Sequence, residues 1–251
     1  MKPTINNLTS SQQREFLKAH FSPFVSDQKK GRSGGPVETP PPAQAERIAL
    51  PPAKTLTCGQ MPVCQAIGRR RSRRKFSKMP LTQEQLAYLC WATLGIQKVF
   101  GHGQAVYRTV PSAGARHALQ LYLAAGNVDG LAKGLYRYMA VDHELVQLRN
   151  DDAMPDNVAK ACFDQNWMAG AGAVLILTAL PYRMEWRYGP AAAKLIALDA
   201  GHAGQNAYLA AESIGAGACA VAAYDQQQAD RLLDVDGHDE FVIYLIPVGN
   251  V

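Results

Sequence analysis

Pro190-Ala-Ala-Ala-Lys-Leu-Ile-Ala-Leu-Asp-Ala-Gly-His-Ala-Gly-Gln-Asn-Ala-Tyr-Leu-Ala-Ala-Glu-Ser-Ile214, followed by Gly215, is the longest helical stretch in the chain. Proline suits a first turn, whose N–H groups have no intrahelical acceptor, and glycine suits the left-handed position just past a helix. Apolar side chains run nearly all the way round, so the pattern predicts a helix packed against sheet and neighbours, or against a second subunit. After it, Ile214–Asp225 is a run of small residues that turns back toward a last strand at Phe241–Val248. Before it, Ala173–Ala179 is continuously apolar, as a central strand buried on both faces would be. Ala118–Ala125 and Gly134–Val141 also read as strands, the latter alternating and therefore half-buried. Leu81-Thr82-Gln83-Glu84-Gln85-Leu86 carries a helix start, with Thr82 and Gln85 forming a capping box, and that helix runs to about Thr93. Strands and helices are interspersed, which predicts an α+β sandwich of one sheet and flanking helices.

At 251 residues, 47% hydrophobic and 19% charged, the chain can bury a sizeable core. This excludes a disordered chain, a collagen and a disulfide-stapled miniprotein. The uncharged run Trp167–Tyr182 is shorter than the roughly 20 apolar residues of a bilayer-spanning helix, so no membrane partner is expected. Five cysteines, Cys58, Cys64, Cys90, Cys162 and Cys219, include no C-x-x-C pair, which favours reduced thiols, some of them in the core, over a zinc site. The N-terminus lacks the apolar segment of a secretory signal. A cytoplasmic protein is expected. Residues 1–54 stand apart as an arm: a short helix over Ser10–His20, then Gly- and Pro-rich sequence that forms neither helix nor internal strand. It either wraps the folded body or extends away from it. Residues 55–251 form the domain.

Arg69, Arg70, Arg71, Arg73, Arg74, Lys75 and Lys78 hold seven of the chain's 26 basic residues; the other 19 nearly balance 21 acidic ones. The protein is close to neutral with one cationic centre. Forked guanidiniums beside Ser72 make a donor-rich cradle for a phosphate, or else a solvated basic loop or a nucleic-acid contact. Arg108-Thr109-Val110-Pro111-Ser112-Ala113-Gly114-Ala115-Arg116 is small enough for backbone to approach a flat ligand, or is an ordinary loop. Gly215-x-Gly217 lacks the remaining glycine and preceding strand of a dinucleotide fingerprint. His202, Gln205 and Asn206 share a helix face without a further ligand at metal spacing, so satisfied polar groups at a helix or subunit contact are expected and no metal is. No G-x-S-x-G, H-E-x-x-H or P-loop occurs.

Together these segments resemble the nitroreductase superfamily, and most closely its thiazole/oxazole-forming, azoline oxidase-like dehydrogenase branch. The likeness is carried by Arg70-Arg71-Ser72-x-Arg74-x-Phe76, Pro111-Ser112-Ala113-Gly114-Ala115, Gly134-Leu135-Tyr136-x-Tyr138, Ala200-Gly201-His202-x-x-Gln205-Asn206-x-Tyr208-Leu209-Ala210-Ala211-Glu212 and Pro247-Val248-Gly249, in order across residues 66–249. It implies a central, mostly antiparallel sheet flanked by helices, and a homodimer with FMN at the subunit interface. By match, Arg70, Arg71, Ser72 and Arg74 would hold the flavin's phosphate, ribityl chain and pyrimidine edge. Pro111, Ser112, Ala113 and Gly114 would pack on the flavin from the other subunit. Backbone around Val221, Ala222 and Ala223 would face its N5. Tyr136, Tyr138, Trp186 and Tyr188 are candidate pocket walls.

The resemblance implies a ping-pong oxidoreductase in which NAD(P)H delivers two electrons and a small electron-poor acceptor, a nitro compound or quinone, removes them. The chemistry would lie on the flavin, with Tyr188 and Arg187 as candidate catalytic side chains. Oxidation of peptide azolines to azoles is the alternative within the branch. Where that branch has Lys-Tyr before glycine, however, this chain has Arg187-Tyr188-Gly189, and a guanidinium is a poor base at neutral pH. The late basic residues of many nitroreductases have no match up to Val251, which moves the expected phosphate contacts onto Arg70 and Arg74. A nucleic-acid-binding protein using the arginine cluster is the alternative from another class, though no nucleic-acid partner is expected of a flavoenzyme.

Overall fold

The structure, a computed structural model, describes residues 9–18, 21, 23–101 and 105–251. Nine strands occur among them: β1 (Arg47–Ala49), β2 (Ile96–Phe100), β3 (Ala105–Arg108), β4 (Leu119–Ala125), β5 (Gly134–Met139), β6 (Glu144–Asn150), β7 (Ala173–Ala179), β8 (Ala216–Ala218) and β9 (Phe241–Asn250). Seven form one sheet in the order β1-β6-β5-β4-β7-β9-β8, and β2 and β3 form a separate hairpin. Every pairing between neighbouring strands is antiparallel.

The central strands are apolar throughout because both faces of the sheet are covered. On β4 and β7, Leu121, Leu123, Leu175 and Leu177 point into one core, under α3 (Gln83–Leu94) and α6 (Ala192–Ser213). Tyr122, Ala124, Val174 and Ile176 point into the other, under α4 (Met154–Ala161) and α7 (Gln226–Leu233). The capping box at Thr82 and Gln85 forms as expected, and α3 ends at Leu94 with Gly95 as its cap. Asn206 on α6 donates to the carbonyls of Ala92 (3.0 Å) and Thr109 (3.2 Å), tying α6 to α3 and to the segment after β3.

Helix α6 is not buried all round. Ala203, Gly204, Ala207, Ala210 and Ala211 face the core, whereas Ala197, Leu198, Gly201, His202 and Gln205 are exposed. Glycine at 204 is required by packing: a Cβ there would stand 2.7 Å from the Tyr244 ring, while one at Gly201 would meet nothing within 4 Å.

The N-terminal arm wraps the body. α1 (Ser10–Arg14) runs into a 3-10 turn at Glu15–Leu17, shorter than the helix predicted to His20, which lies outside the described residues. β1 then pairs with β6 at the sheet edge, a place proline-rich sequence tolerates. Between them Glu38 accepts from the Ala140 N–H (2.6 Å), and Arg137 donates to the carbonyls of Thr39 (3.2 Å) and Pro40 (2.8 Å). This contact corrects the half-buried reading of β5. Its alternation is real, but the arm covers the second face, and every residue of the strand is buried. The five cysteines are free thiols, with Cys90, Cys162 and Cys219 buried. Among the described residues, no helix is long and apolar enough to cross a membrane, and no group of three His, Cys, Asp or Glu could hold a metal ion.

Candidate functional site

α2 (Val63–Arg69) delivers the arginine cluster to the edge of the sheet. Arg70 caps this helix, its N–H still bonded to Ala66, but its φ and ψ of −45° and 128° turn the chain out of helical conformation. The strand-like segment that follows runs along β8. Ser72 bridges Ala218 in parallel, and the Arg73 N–H donates to the Ala218 carbonyl (2.9 Å). Such an approach requires glycine opposite: a Cβ on Gly217 would lie 2.8 Å from the Arg73 Cβ.

Tyr208, on the sheet-facing side of α6, joins this segment to the next part of the site. Its hydroxyl lies 3.1 Å from the Ser72 hydroxyl and accepts from the Ala220 N–H at 2.7 Å. One turn on, Glu212 takes both of its hydrogen bonds from Arg73 (3.2 and 3.1 Å), so Arg73 is neutralised. The Arg70 guanidinium stands 5.3 Å over the Tyr208 ring, and that of Arg74 stands 5.9 Å over Trp167. Arg71 donates to the carbonyls of Gly68 and Arg70. Among the described residues Arg70, Arg71, Arg74, Lys75 and Lys78 take part in no ion pair. Val221 exchanges two backbone hydrogen bonds with Leu245 (2.7 and 3.1 Å), and Ala222 and Ala223 follow it exposed before Asp225 caps α7. Arg70–Arg74 and Val221–Ala223 therefore leave the same sheet edge. Guanidiniums without an ion pair, a hydroxyl and exposed backbone together make a donor set that fits a phosphate.

Pro111–Gly114 lies elsewhere in the chain. Ser112 accepts from the His117 N–H (2.9 Å), and the Ala113 N–H donates to Asp199 (3.3 Å) near the start of α6. Gly114 has φ of 56°, and the space a Cβ would occupy lies 2.5 Å from the Tyr188 hydroxyl and 3.2 Å from Arg187 Nη1. Arg187 and Tyr188, at the end of α5 (Pro181–Tyr188), are thus gathered with this loop and not with the arginine cluster. From Asp199 to Tyr208 is nine residues of helix, about 14 Å. The two groups are therefore anchored to different turns of α6.

Asp199 is 5% exposed, one carboxylate oxygen has no partner, and burial raises its pKa. His117 is held neutral: burial, then the charge of Arg108, pushes its pKa down to about 4. Two expected pocket walls belong instead to the core, since long aromatic side chains on inward strand positions fill it. Tyr136 is fully buried and donates to the Ala132 carbonyl; the buried Tyr138 hydroxyl pairs with His143. Tyr208, Glu212, Trp167 and Asp199 also take part in these contacts. Tyr208 and Glu212 carried a signal, since i and i+4 share one helix face. Trp167 and Asp199 carried none, because their roles arise from contacts distant in sequence.

The family model for the nitroreductase family matches residues 67–250. A nitroreductase homologue of Methanocaldococcus jannaschii is 32% identical over 181 residues, covering 72% of this chain and 87% of that protein. Among solved structures, a nitroreductase homologue from Ralstonia eutropha superposes with a TM-score of 0.65 at 27% identity, over 86% of this chain and 97% of that one. The E. coli microcin synthetase complex, with a truncated pro-MccB17 bound, contains a chain that matches with a TM-score of 0.61 at 16% identity, over 74% of this chain and 72% of that one. With its antiparallel sheet, its flanking helices and a match spanning most of its length, this chain belongs to the nitroreductase family, and it is an oxidoreductase.

Proposed function

We propose that the protein binds FMN between two copies of itself and passes two electrons from NAD(P)H to a small electron-poor acceptor, a nitro compound or quinone, in a ping-pong cycle. In this reading residues 1–54 are a strap on the FMN-binding domain, 55–251. Bound FMN supplies the two-electron chemistry. Arg70 and Arg74 neutralise its phosphate, with Arg71 and Ser72 as further donors, each charge-assisted bond contributing about 1.5–3 kcal/mol. Tyr208 fixes the Ser72 hydroxyl and the Ala220 backbone in one register, so the phosphate end and the Val221–Ala223 end are set together. Pro111, Ser112, Ala113 and Gly114, with Tyr188 and Arg187 beside them, complete the site of the partner copy.

The observation that carries this reading is the cationic edge itself: four of the seven clustered charges lie on 70–74, and only Arg73 among them has a carboxylate partner. Replacing Arg70 and Arg74 together by Ala should give a folded protein without the yellow colour of the parent, read from absorbance after gel filtration. Stoichiometric flavin in that variant would refute the phosphate assignment.

A second reading, oxidation of peptide azolines to azoles, draws on the likeness to a chain of the microcin synthetase complex. Arg187 weighs against it, since a permanently protonated side chain does not serve as a base. A nitroaromatic or quinone consumed at the expense of NAD(P)H, with no turnover of an azoline peptide, separates the two.

A further inference from the structure

Two guanidiniums flank the Pro111–Gly114 loop and neither has a counter-charge. Arg116 closes the turn, its N–H bonded to the Ala113 carbonyl (3.2 Å). Its Nε donates to the Arg183 carbonyl (3.1 Å), and its guanidinium lies 4.4 Å over the Trp186 ring. The indole is held in turn by the arm: Trp186 Nε1 donates to the Arg32 carbonyl (2.7 Å), and the Trp186 carbonyl accepts from the Gln28 N–H (3.0 Å). Gly34 packs so closely here that a Cβ would stand 2.9 Å from Arg116 Nη2 and 3.1 Å from the indole. Arg187 approaches from α5, its guanidinium 5.6 Å from the Tyr188 ring centroid and its Nη1 beside Gly114.

The two positive charges oppose each other: after burial, the charge of Arg187 is the next cause lowering the pKa of Arg116. Among the described residues, neither arginine is in an ion pair. Asp199, the carboxylate packed on this loop, is turned to the Ala113 N–H. The loop is also strained, with Ala115 and His117 at positive φ (52° and 48°) on either side of Arg116. Such conformations persist where surrounding structure enforces them, and they gather at ligand clamps. Arg116 is half-buried and Arg187 exposed, so an external anion can reach both.

We propose that Arg116 and Arg187 together bind an anionic group, phosphate or carboxylate, carried by the molecule that exchanges electrons at this site. The inference rests on the reading that Pro111–Gly114 packs against a flavin. Arg116, stacked on the indole and bonded at Nε, is the pre-organised partner of the oxyanion, and exposed Arg187 is the adjustable second one. The group has two possible carriers: the 2′-phosphate of the nicotinamide donor, or a carboxylate on the acceptor.

The test measures KM for two matched pairs, NADPH against NADH and 4-nitrobenzoate against 4-nitrobenzamide, in the parent protein and in Arg187→Gln and Arg187→Lys. The anionic member of one pair should be preferred on the order of ten- to a hundredfold. Arg187→Gln should erase that preference and Arg187→Lys should restore part of it. The pair that responds identifies the carrier. No preference in either pair, or a preference that survives Arg187→Gln, overturns the proposal. Calorimetric titration with 4-nitrobenzoate and with 2′-AMP reads the same site in any preparation, coloured or not. A colourless protein that binds either anion through Arg187 removes the flavin reading and keeps the anion site. A yellow protein that binds neither does the reverse.

Discussion

His117 shows how far a single side chain departs from its free behaviour in this interior. Arg108, Arg116 and Arg183 surround it, and Nε2 lies 3.2 Å from the Val106 carbonyl, so the neutral ring donates there. Its ordinary pKa of 6.5 falls to about 4 on folding. Between those values the unfolded chain takes up a proton that the folded chain does not, so stability is lost as pH falls from 6.5 toward 4, by on the order of 3 kcal/mol in all. Glu38, whose pKa burial raises, acts in the opposite direction and is common to parent and variant. In His117→Asn, which suits the left-handed backbone, the difference in urea-unfolding stability from the parent should shrink or reverse between pH 6.5 and 4. A difference that stays constant over that window would show that His117 titrates normally. Of the three arginines only Arg116 is a sequence neighbour of His117, and burial and the charges of Arg108 in β3 and Arg183 in α5 come only from folding.

At the scale of elements, α6 carries two glycines of opposite character. Gly204→Ala would force a methyl to 2.7 Å from the Tyr244 ring and should destabilise by about 1–3 kcal/mol. Gly201→Ala meets nothing within the chain and, by helix propensity alone, should stabilise by about 1 kcal/mol. If the exposed Ala197–Gln205 face packs on a second copy, Gly201→Trp should instead yield monomer in analytical ultracentrifugation and release flavin. Unchanged sedimentation and colour would place the interface elsewhere. The limits of α6 and the cap of α3 were legible because proline, glycine and Thr-x-x-Gln act within one turn. The true exposure of β5 was not, because Thr39 and Pro40, which cover Arg137, lie about a hundred residues away.

For the whole molecule, the proposed function builds each site from Arg70–Arg74 of one copy and Pro111–Gly114 of the other, and that reading can be tested by complementation. A chain carrying Arg70→Ala and Arg74→Ala, mixed and reassembled with a chain carrying Gly114→Val, should recover flavin in about a quarter of all sites, although neither variant binds it alone. The valine would clash with the Tyr188 hydroxyl at a left-handed position, so it removes the loop and leaves the arginine edge intact. No recovery in a mixture shown to contain the mixed dimer would mean that each site is built from one chain.

Local chemistry determined what the sequence could reveal: the central strands, the long helix, the cationic segment and the ordered motifs that carried the family. Tertiary structure decided that the arm wraps the body, that Tyr208 ties Ser72 to Ala220, that Arg116 stacks on Trp186 and that Arg187 lies beside Gly114. Caps, periodicity and charge runs act over a few residues and are written in composition. Contacts between residues brought together only by folding depend on the register of the sheet and the path of the chain, which no local pattern specifies.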